Sequence, residues 1–487
     1  MVKFLSIVSG RKFFAVLFIC IFFLGQLLSE LSDDNKVLMQ LYALLLTFSS
    51  VIPLIRRSFY KPTMLLSGHS MVLFAPIWFL YLEAILPNGD AWLLPASSVI
   101  NALSLCAFFL FVFNLAYVFK MPAWAVRFHT KYFEKQLSPN LIPLLGIGFT
   151  LLLLFVIWGY YDFDISKATE AYLGGRSTGS GGLIKRGGVG GWEVFLQPFA
   201  FMAPVVPTLA SLSWVSFGGS KKSSLLLRVL VLICSLFLLF LLFLGGSRGN
   251  MAIYLVGPAS VWFLFGKRLP PPVFFLVTLL SFLLVIGVWQ YQVKTRSNLL
   301  DGLNSLDSFT SQTSFNPAET HRDNNLYLFT LNVMYMPKPY PFEGYSEFAF
   351  MLINPIPRAL WPGKPLGIQE SATTFQTAKG PATMGPIRFG TASLSASIVS
   401  DGFKMNHYFG ISLYALILAI MASLWDRLAQ PRLQIYNLFF ILNAAWIFWI
   451  LWSFRSSFAW ISGMYSVWGA YLFAYFSSRF FRTTRLP

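Results

Sequence analysis

Apolar stretches of about 20 residues recur from one end of the chain to the other, each long enough as a helix to cross a hydrocarbon core of roughly 30 Å. Lipid offers no partner to a backbone N–H or C=O, so such stretches must be helices, whose hydrogen bonds close within the segment. Only 11% of the 487 residues are charged, less than half of the roughly 25% usual in soluble domains. The expected fold is therefore an all-α, polytopic integral membrane protein. The hydropathy pattern predicts about twelve spans, near 13–28, 37–55, 64–85, 98–118, 141–160, 194–215, 224–244, 251–266, 271–290, 408–424, 434–452 and 457–477. Lys3, Arg11 and Lys12 precede the first in the manner of a signal peptide, but no small-residue cleavage site follows, and it is read as a span.

The net charge of +17 would suggest nucleic acid as a partner of a soluble protein. Here the basic residues sit in short connections between spans, where they set orientation, and nucleic acid is excluded. Alternating the connections between two sides puts the N-terminus, Arg56/Arg57/Lys61, Lys120/Arg127/Lys131/Lys135, Lys221/Lys222/Arg228, Lys267/Arg268, Arg427/Arg432 and Arg479/Arg482/Arg485 together. That side holds 20 of the 36 lysines and arginines and, of the 19 acidic residues, only Glu134 and Asp426. It is expected to face the cytoplasm, with both termini inside. Cys20, Cys106 and Cys234 each lie in an apolar stretch without pairing or metal-ligand spacing, as buried structural thiols do.

Three regions follow from this layout: spans and connections over 1–290, a large outward segment over 291–407, and the remaining spans with a basic cytoplasmic tail over 408–487. Function is expected in the outward segments 161–193 and 291–407, which are too long to be simple connectors. The first contains GGRSTGSGGLIKRGGVGG (Gly174 to Gly191) with Arg176 and Arg186, suited either to a mobile lid or to a backbone nest for an anion. Neither a phosphate loop nor a dinucleotide fingerprint is present. Within the second, the apolar run Leu326 to Met336 and the amphipathic stretch Phe348 to Trp361 suit helices lying flat on the outer leaflet, with Trp361 at the headgroup level.

The signatures HExxH and GxSxG are absent, paired cysteines are absent, and the four histidines are His69, His129, His321 and His407, so no metal site is expected. Candidate anion contacts stand instead where outward segments meet spans. Arg248 in GGSRGN (Gly245 to Asn250) is flanked by small residues that let a bulky ligand approach, beside the free N–H groups of a helix start. Arg358 and Lys364 lie in NPIPRALWPGKP (Asn354 to Pro365), where four prolines stiffen the frame that carries them. A guanidinium fork and a compact ammonium together suit a diphosphate, including one leaving in a group transfer. AETHRDNN (Ala318 to Asn325) brings Glu319, His321, Arg322 and Asp323 together, able to supply a general base and a further anion contact. Asp401 and His407, in SDGFKMNHYFG (Ser400 to Gly410) before the tenth span, are further candidate bases, with capping or packing as their simpler reading.

Together these segments resemble the Wzy-type oligosaccharide repeat-unit polymerases, which build O-antigens and exopolysaccharides. GGSRGN looks like a short Ser-Arg-Gly element of that family, INPIPRALWPGKP like the IPR-x-LWP-x-KP element of its large periplasmic loop, and NHYFGISLYALIL like the Asn-Phe-Gly start of its following span. The resemblance covers about a tenth of the chain. It implies a helical, metal-independent and cofactor-free glycosyltransferase fold of the C type in a bacterial inner membrane, acting on the periplasmic face. It implies undecaprenyl-pyrophosphate-linked oligosaccharide as both donor and acceptor, with a flippase and a chain-length regulator as further partners. Carried over, it makes Arg248 and Arg358 pyrophosphate contacts, with Lys364 nearby. It leaves the base open among His321, Glu319 and Asp401. An O-antigen ligase would use the same donor on the same side, and a flippase would also fit twelve spans. The spans are nearly free of charge and one outward segment exceeds a hundred residues, which argues against transport.

Overall fold

The computed structural model describes residues 11–32, 34–60, 67–87, 89–118, 140–173, 203, 205–214, 223–244, 258, 325–338, 341–353, 356, 360, 361, 363, 396–429, 450, 454 and 455. Among them every regular element is helical: α1 (Arg11–Leu31), α2 (Lys36–Tyr60), α3 (Gly68–Ile85), α4 (Ala96–Val118), α5 (Leu141–Tyr160), α6 (Ile165–Leu173), α7 (Val205–Trp214), α8 (Leu225–Leu244), α9 (Asn325–Tyr335), α10 (Ser346–Ile353) and α11 (Ile398–Ala429). Seven of these, α1 to α5, α8 and α11, are long and apolar enough to cross a membrane. The chain is thus an α-helical membrane protein, and its remaining expected spans, near 251–266, 271–290, 434–452 and 457–477, lie outside the described residues or almost wholly so. Of the sixth expected span, the ten residues of α7 are described.

Local sequence explains several helix features. Proline stands third in α5 (Pro143) and third in α7 (Pro207), in the first turn, where no intrahelical N–H bond is lost. Pro76 falls inside α3, and the five residues after it, Ile77–Tyr81, widen into a π-helical turn before the α-helix resumes at Leu82. α5 ends where Asp162 and Phe163 turn left-handed (φ 56° and 59°), and the Asp164 carboxylate caps α6 by accepting from the N–H groups of Ser166 (2.8 Å) and Lys167 (3.2 Å).

α4 is the hub, with α1, α2, α9 and α11 packed around it, while α5, α7 and α8 pack on one another. The outer faces are apolar: Leu232, Ile233, Leu236, Phe237 and Phe240 of α8 are exposed, as a surface bathed in lipid tails requires. Inside the bundle, Gln26 of α1 donates to Asn101 of α4 (3.0 Å), and the ring nitrogen of buried His69 meets Asn114 (2.9 Å). His69 is therefore a packed polar group, as its setting in a span suggests.

Carboxylates tie the ends of the bundle. At one end Asp426 of α11 accepts from the N–H groups of Gly68 (2.7 Å) and His69 (3.4 Å) at the start of α3, and from the Tyr117 hydroxyl. At the other end Asp34 accepts from Ala96 N–H (3.0 Å) and pairs with Lys36 (3.0 Å); these bonds hold its carboxyl below the usual range.

The same end shows an arrangement that the sequence pattern does not announce. α9, expected to lie flat on a leaflet, is buried from Asn325 to Asn332 and packs against α4, α11 and α3. Its first turn is capped from another helix: the two Glu83 carboxylate oxygens accept from the N–H groups of Leu326 (2.9 Å) and Tyr327 (3.1 Å). Glu83, only 3% exposed and the one acidic residue of α3, is thus matched to two donors across 243 residues of chain. Replacing Glu83 with Ala is expected to cost about 2 kcal/mol, because a charge-assisted cap is lost and two buried donors are stranded. Denaturant unfolding of the detergent-solubilised protein measures it, and an unchanged midpoint would remove Glu83 from this role.

Candidate functional site

α11 is not one rod. Asn406 (φ −169°, ψ 59°) and His407 (φ 46°, ψ −129°) leave the helical region, dividing it into a short limb, 398–405, and a long limb from 408. Left-handed backbone at a residue other than glycine costs on the order of 1 kcal/mol or more and persists only where surrounding contacts hold it. Those contacts are close. In a continuous helix Gly402 and Gly410 would stand about 12 Å apart. Here a Cβ placed on Gly410 would lie 2.0 Å from the Gly402 carbonyl oxygen, and one on Gly402 would lie 2.8 Å from the backbone of Ile411. The limbs therefore meet backbone to backbone, which glycine alone permits at both positions. The long limb begins at Tyr408, where the hydropathy pattern starts the tenth span. Tyr408 rests on Phe22 and Phe108, near the middle of α1 and α4, so the break sits within the apolar thickness of the bundle.

The short limb is anchored on every side. Ser397, itself left-handed at φ 108°, caps it by accepting from Ser400 N–H (3.2 Å). Ile398 N–H donates to the Phe454 carbonyl (3.1 Å), and Asn332 of α9 donates to the Ser400 hydroxyl (2.7 Å). At its far end the Lys404 carbonyl accepts from Glu343 N–H (2.9 Å). His407 is boxed by the rings of Phe342, Phe403 and Tyr408.

Three ionisable groups meet on this limb. The Lys404 ammonium lies 3.8 Å from a carboxylate oxygen of Asp401, one helical turn back, and 3.8 Å from one of Glu343. Their side chains are 5%, 8% and 17% exposed. Charges taken out of water cost several kcal/mol each unless paired, and buried ionisable groups among membrane helices mark functional positions more often than structural ones. Chemically the cluster offers carboxylate acceptors for a hydroxyl proton and one cation to steady them.

Of the candidate bases, Asp401 and His407 fall among the described residues, and Asp401 sits on a buried helical limb instead of the loop that its sequence context suggested. Trp361 is 41% exposed, and Leu360, Ile356 and Leu352 are exposed as well. α10 leans on the long limb through Phe348 against Tyr414, and Tyr345, just before α10, packs against Phe409. Arg248, Arg358, Lys364, Arg322, His321, Glu319, Arg176 and Arg186 lie outside the described residues. Glu343, Lys404 and Asn332 were not singled out by sequence. The Asp401–Lys404 spacing of three and the two glycines eight apart carried a signal for the limb; nothing local marked Glu343 as its partner.

Among the described residues no group of three or more His, Cys, Asp or Glu side chains is arranged to hold a metal ion. No protein family, curated protein or solved structure matches the chain.

Proposed function

We propose that this protein polymerises oligosaccharide repeat units carried on undecaprenyl pyrophosphate, transferring them en bloc at the outward face of a bacterial cytoplasmic membrane. The reading takes about twelve spans in a C-type glycosyltransferase arrangement, both termini inside, with the basic residues placing the Asp426 end in the cytoplasm. One observation carries it: the segment that resembles the family's Asn-Phe-Gly span start is where α11 breaks and gathers Asp401, Lys404 and Glu343. Non-helical backbone inside a membrane bundle is tolerated where it serves a site.

In this reading the donor diphosphate rests on Arg248 and Arg358, with Lys364, Arg322, Arg176 and Arg186 as further anion contacts and Trp361 at the lipid boundary. A hydroxyl of the second lipid-linked unit attacks the anomeric carbon. The new glycosidic C–O bond forms as the bond to the diphosphate breaks, the electron pair leaves with the diphosphate, and the hydroxyl proton passes to a base. Asp401 fills that role best because its neighbours fix it in place; His321 and Glu319 are the other candidates. A single displacement of this kind inverts the anomeric centre.

The test is the glycan profile, by gel, of cells lacking the gene and complemented with the parent, Arg248→Ala or Arg358→Ala. Single repeat units on the acceptor with no ladder are expected for both variants, since one lost anion donor typically costs about 100-fold or more. An unchanged ladder would refute the assignment, and long chains stranded on the carrier lipid would make the protein a ligase.

A further inference from the structure

The structure places a second polar cluster where α9 meets the short 3₁₀ turn Asp90–Leu93. Four polar atoms there are buried without a hydrogen-bond partner: Trp92 Nε1, Asn325 Nδ2, the Tyr327 hydroxyl and Thr330 Oγ1. Tyr327 and Thr330 are fully buried and one helical turn apart, so they share a face of α9, and Asn325 begins the helix at 2% exposure. Burial, with the Asp90 carboxylate second, pushes the Tyr327 phenol above its ordinary range; this keeps it a donor and ties it to the turn that carries Trp92. A buried polar atom left unpaired costs about 1–3 kcal/mol, and native proteins keep few of them. Of the ten such side-chain atoms among the described residues, four fall on these two adjoining elements.

Their chemistry selects the ligand. Two hydroxyls both donate and accept, an indole and an amide donate, and two aromatic rings supply flat apolar walls. That set matches the neighbouring hydroxyls and the C–H face of a sugar ring. It does not match a phosphate, because the Asp90 carboxylate lies on the turn and the Glu83 carboxylate of α3 caps α9, while the nearby Lys36 ammonium is spent on Asp34 and the Leu94 carbonyl.

We propose that Trp92, Asn325, Tyr327 and Thr330 form a subsite for an uncharged sugar residue of the lipid-linked unit, separate from the charged cluster on α11. This rests on the polymerase reading and adds to it where the glycan is gripped. Three of its four members ride on α9, whose first turn is held by the Glu83 cap.

The full-length protein tests this with Tyr327→Phe and Thr330→Val, which delete single polar atoms and keep the shape. Two readouts are taken together: the thermal unfolding midpoint in detergent, and the glycan ladder of complemented cells normalised to protein amount. A subsite predicts opposite signs, a midpoint unchanged or raised and long-chain product reduced about tenfold. A full ladder overturns the proposal whatever the midpoint. A midpoint lowered by several degrees overturns it too, because the atoms would then be serving the fold. Arg248→Ala and Arg358→Ala run alongside: if they abolish the ladder while Tyr327→Phe keeps it, only the subsite fails. A ladder that survives both arginine variants removes the polymerase reading, and the subsite with it.

Discussion

Alanine at Gly410 is expected to destabilise the protein by about 3 kcal/mol or more, because a single methyl group there has nowhere to go. Its carbon would sit 2.0 Å from the Gly402 carbonyl oxygen, and the obstacle is backbone, which cannot rotate aside as a side chain can. Overpacking in a closed core ordinarily costs about 1–3 kcal/mol; here the two limbs of α11 must separate, which also pulls Asp401 and Lys404 from their setting. The internal control is Gly148→Ala in α5, where the added methyl meets nothing within 4 Å and helix propensity favours alanine by up to about 1 kcal/mol. Denaturant unfolding of both variants in the same detergent separates the outcomes. Equal midpoints for the two would show that the limbs are not in contact.

Methionine at Lys404 is expected to have the larger electrostatic effect, a loss of about 3 kcal/mol. Removing the shared cation leaves the Asp401 and Glu343 carboxylates buried together, and breaking a buried pair by deleting one partner typically costs about 3–5 kcal/mol. The separations of 3.8 Å are long for ion pairs, which argues for the lower end of that range. Lys404→Arg should retain most of the stability. The triple variant Lys404→Met, Asp401→Asn, Glu343→Gln should regain most of what Lys404→Met loses, since the two like charges that shared the cation are gone, yet polymerise nothing if Asp401 is the base. A triple variant that regains the fold and also makes a full ladder would end the catalytic assignment of Asp401 and leave the cluster a structural one.

The spans were legible because lipid imposes one solution on every apolar stretch of sufficient length: α1 to α5 and α8 fall where hydropathy places them. What was not legible depends on partners distant in sequence. Leu326 to Met336 reads as a modestly apolar surface helix until Glu83, 243 residues earlier, is seen to cap it and draw it into the bundle. Glu83 itself is one acid in a run of apolar residues, with no local sign of its two donors. Asp426 reads as a lone acid among basic connections, although it closes the start of α3. In α11 the local residues did hold information. Asn406 and His407 are poor helix formers between two glycines, and Asp401 and Lys404 have the spacing of an intrahelical pair, but the continuous helical outline of the segment hides the fold-back that joins them.

The bond from Gly68 N–H to Asp426 also bears on how the chain is made. The two residues are 358 apart, so the start of α3 has entered the membrane long before its acceptor leaves the ribosome. The Leu326 and Tyr327 donors arrive with their acceptor Glu83 already in place, whereas Gly68 and His69 wait for theirs. During synthesis the early helices therefore form a bundle that still lacks the Asp426 acceptor at one end. Ser67 caps the helix start locally through Ser70 N–H, so arrival of α11 adds a second, long-range cap and completes that end of the bundle only late in synthesis.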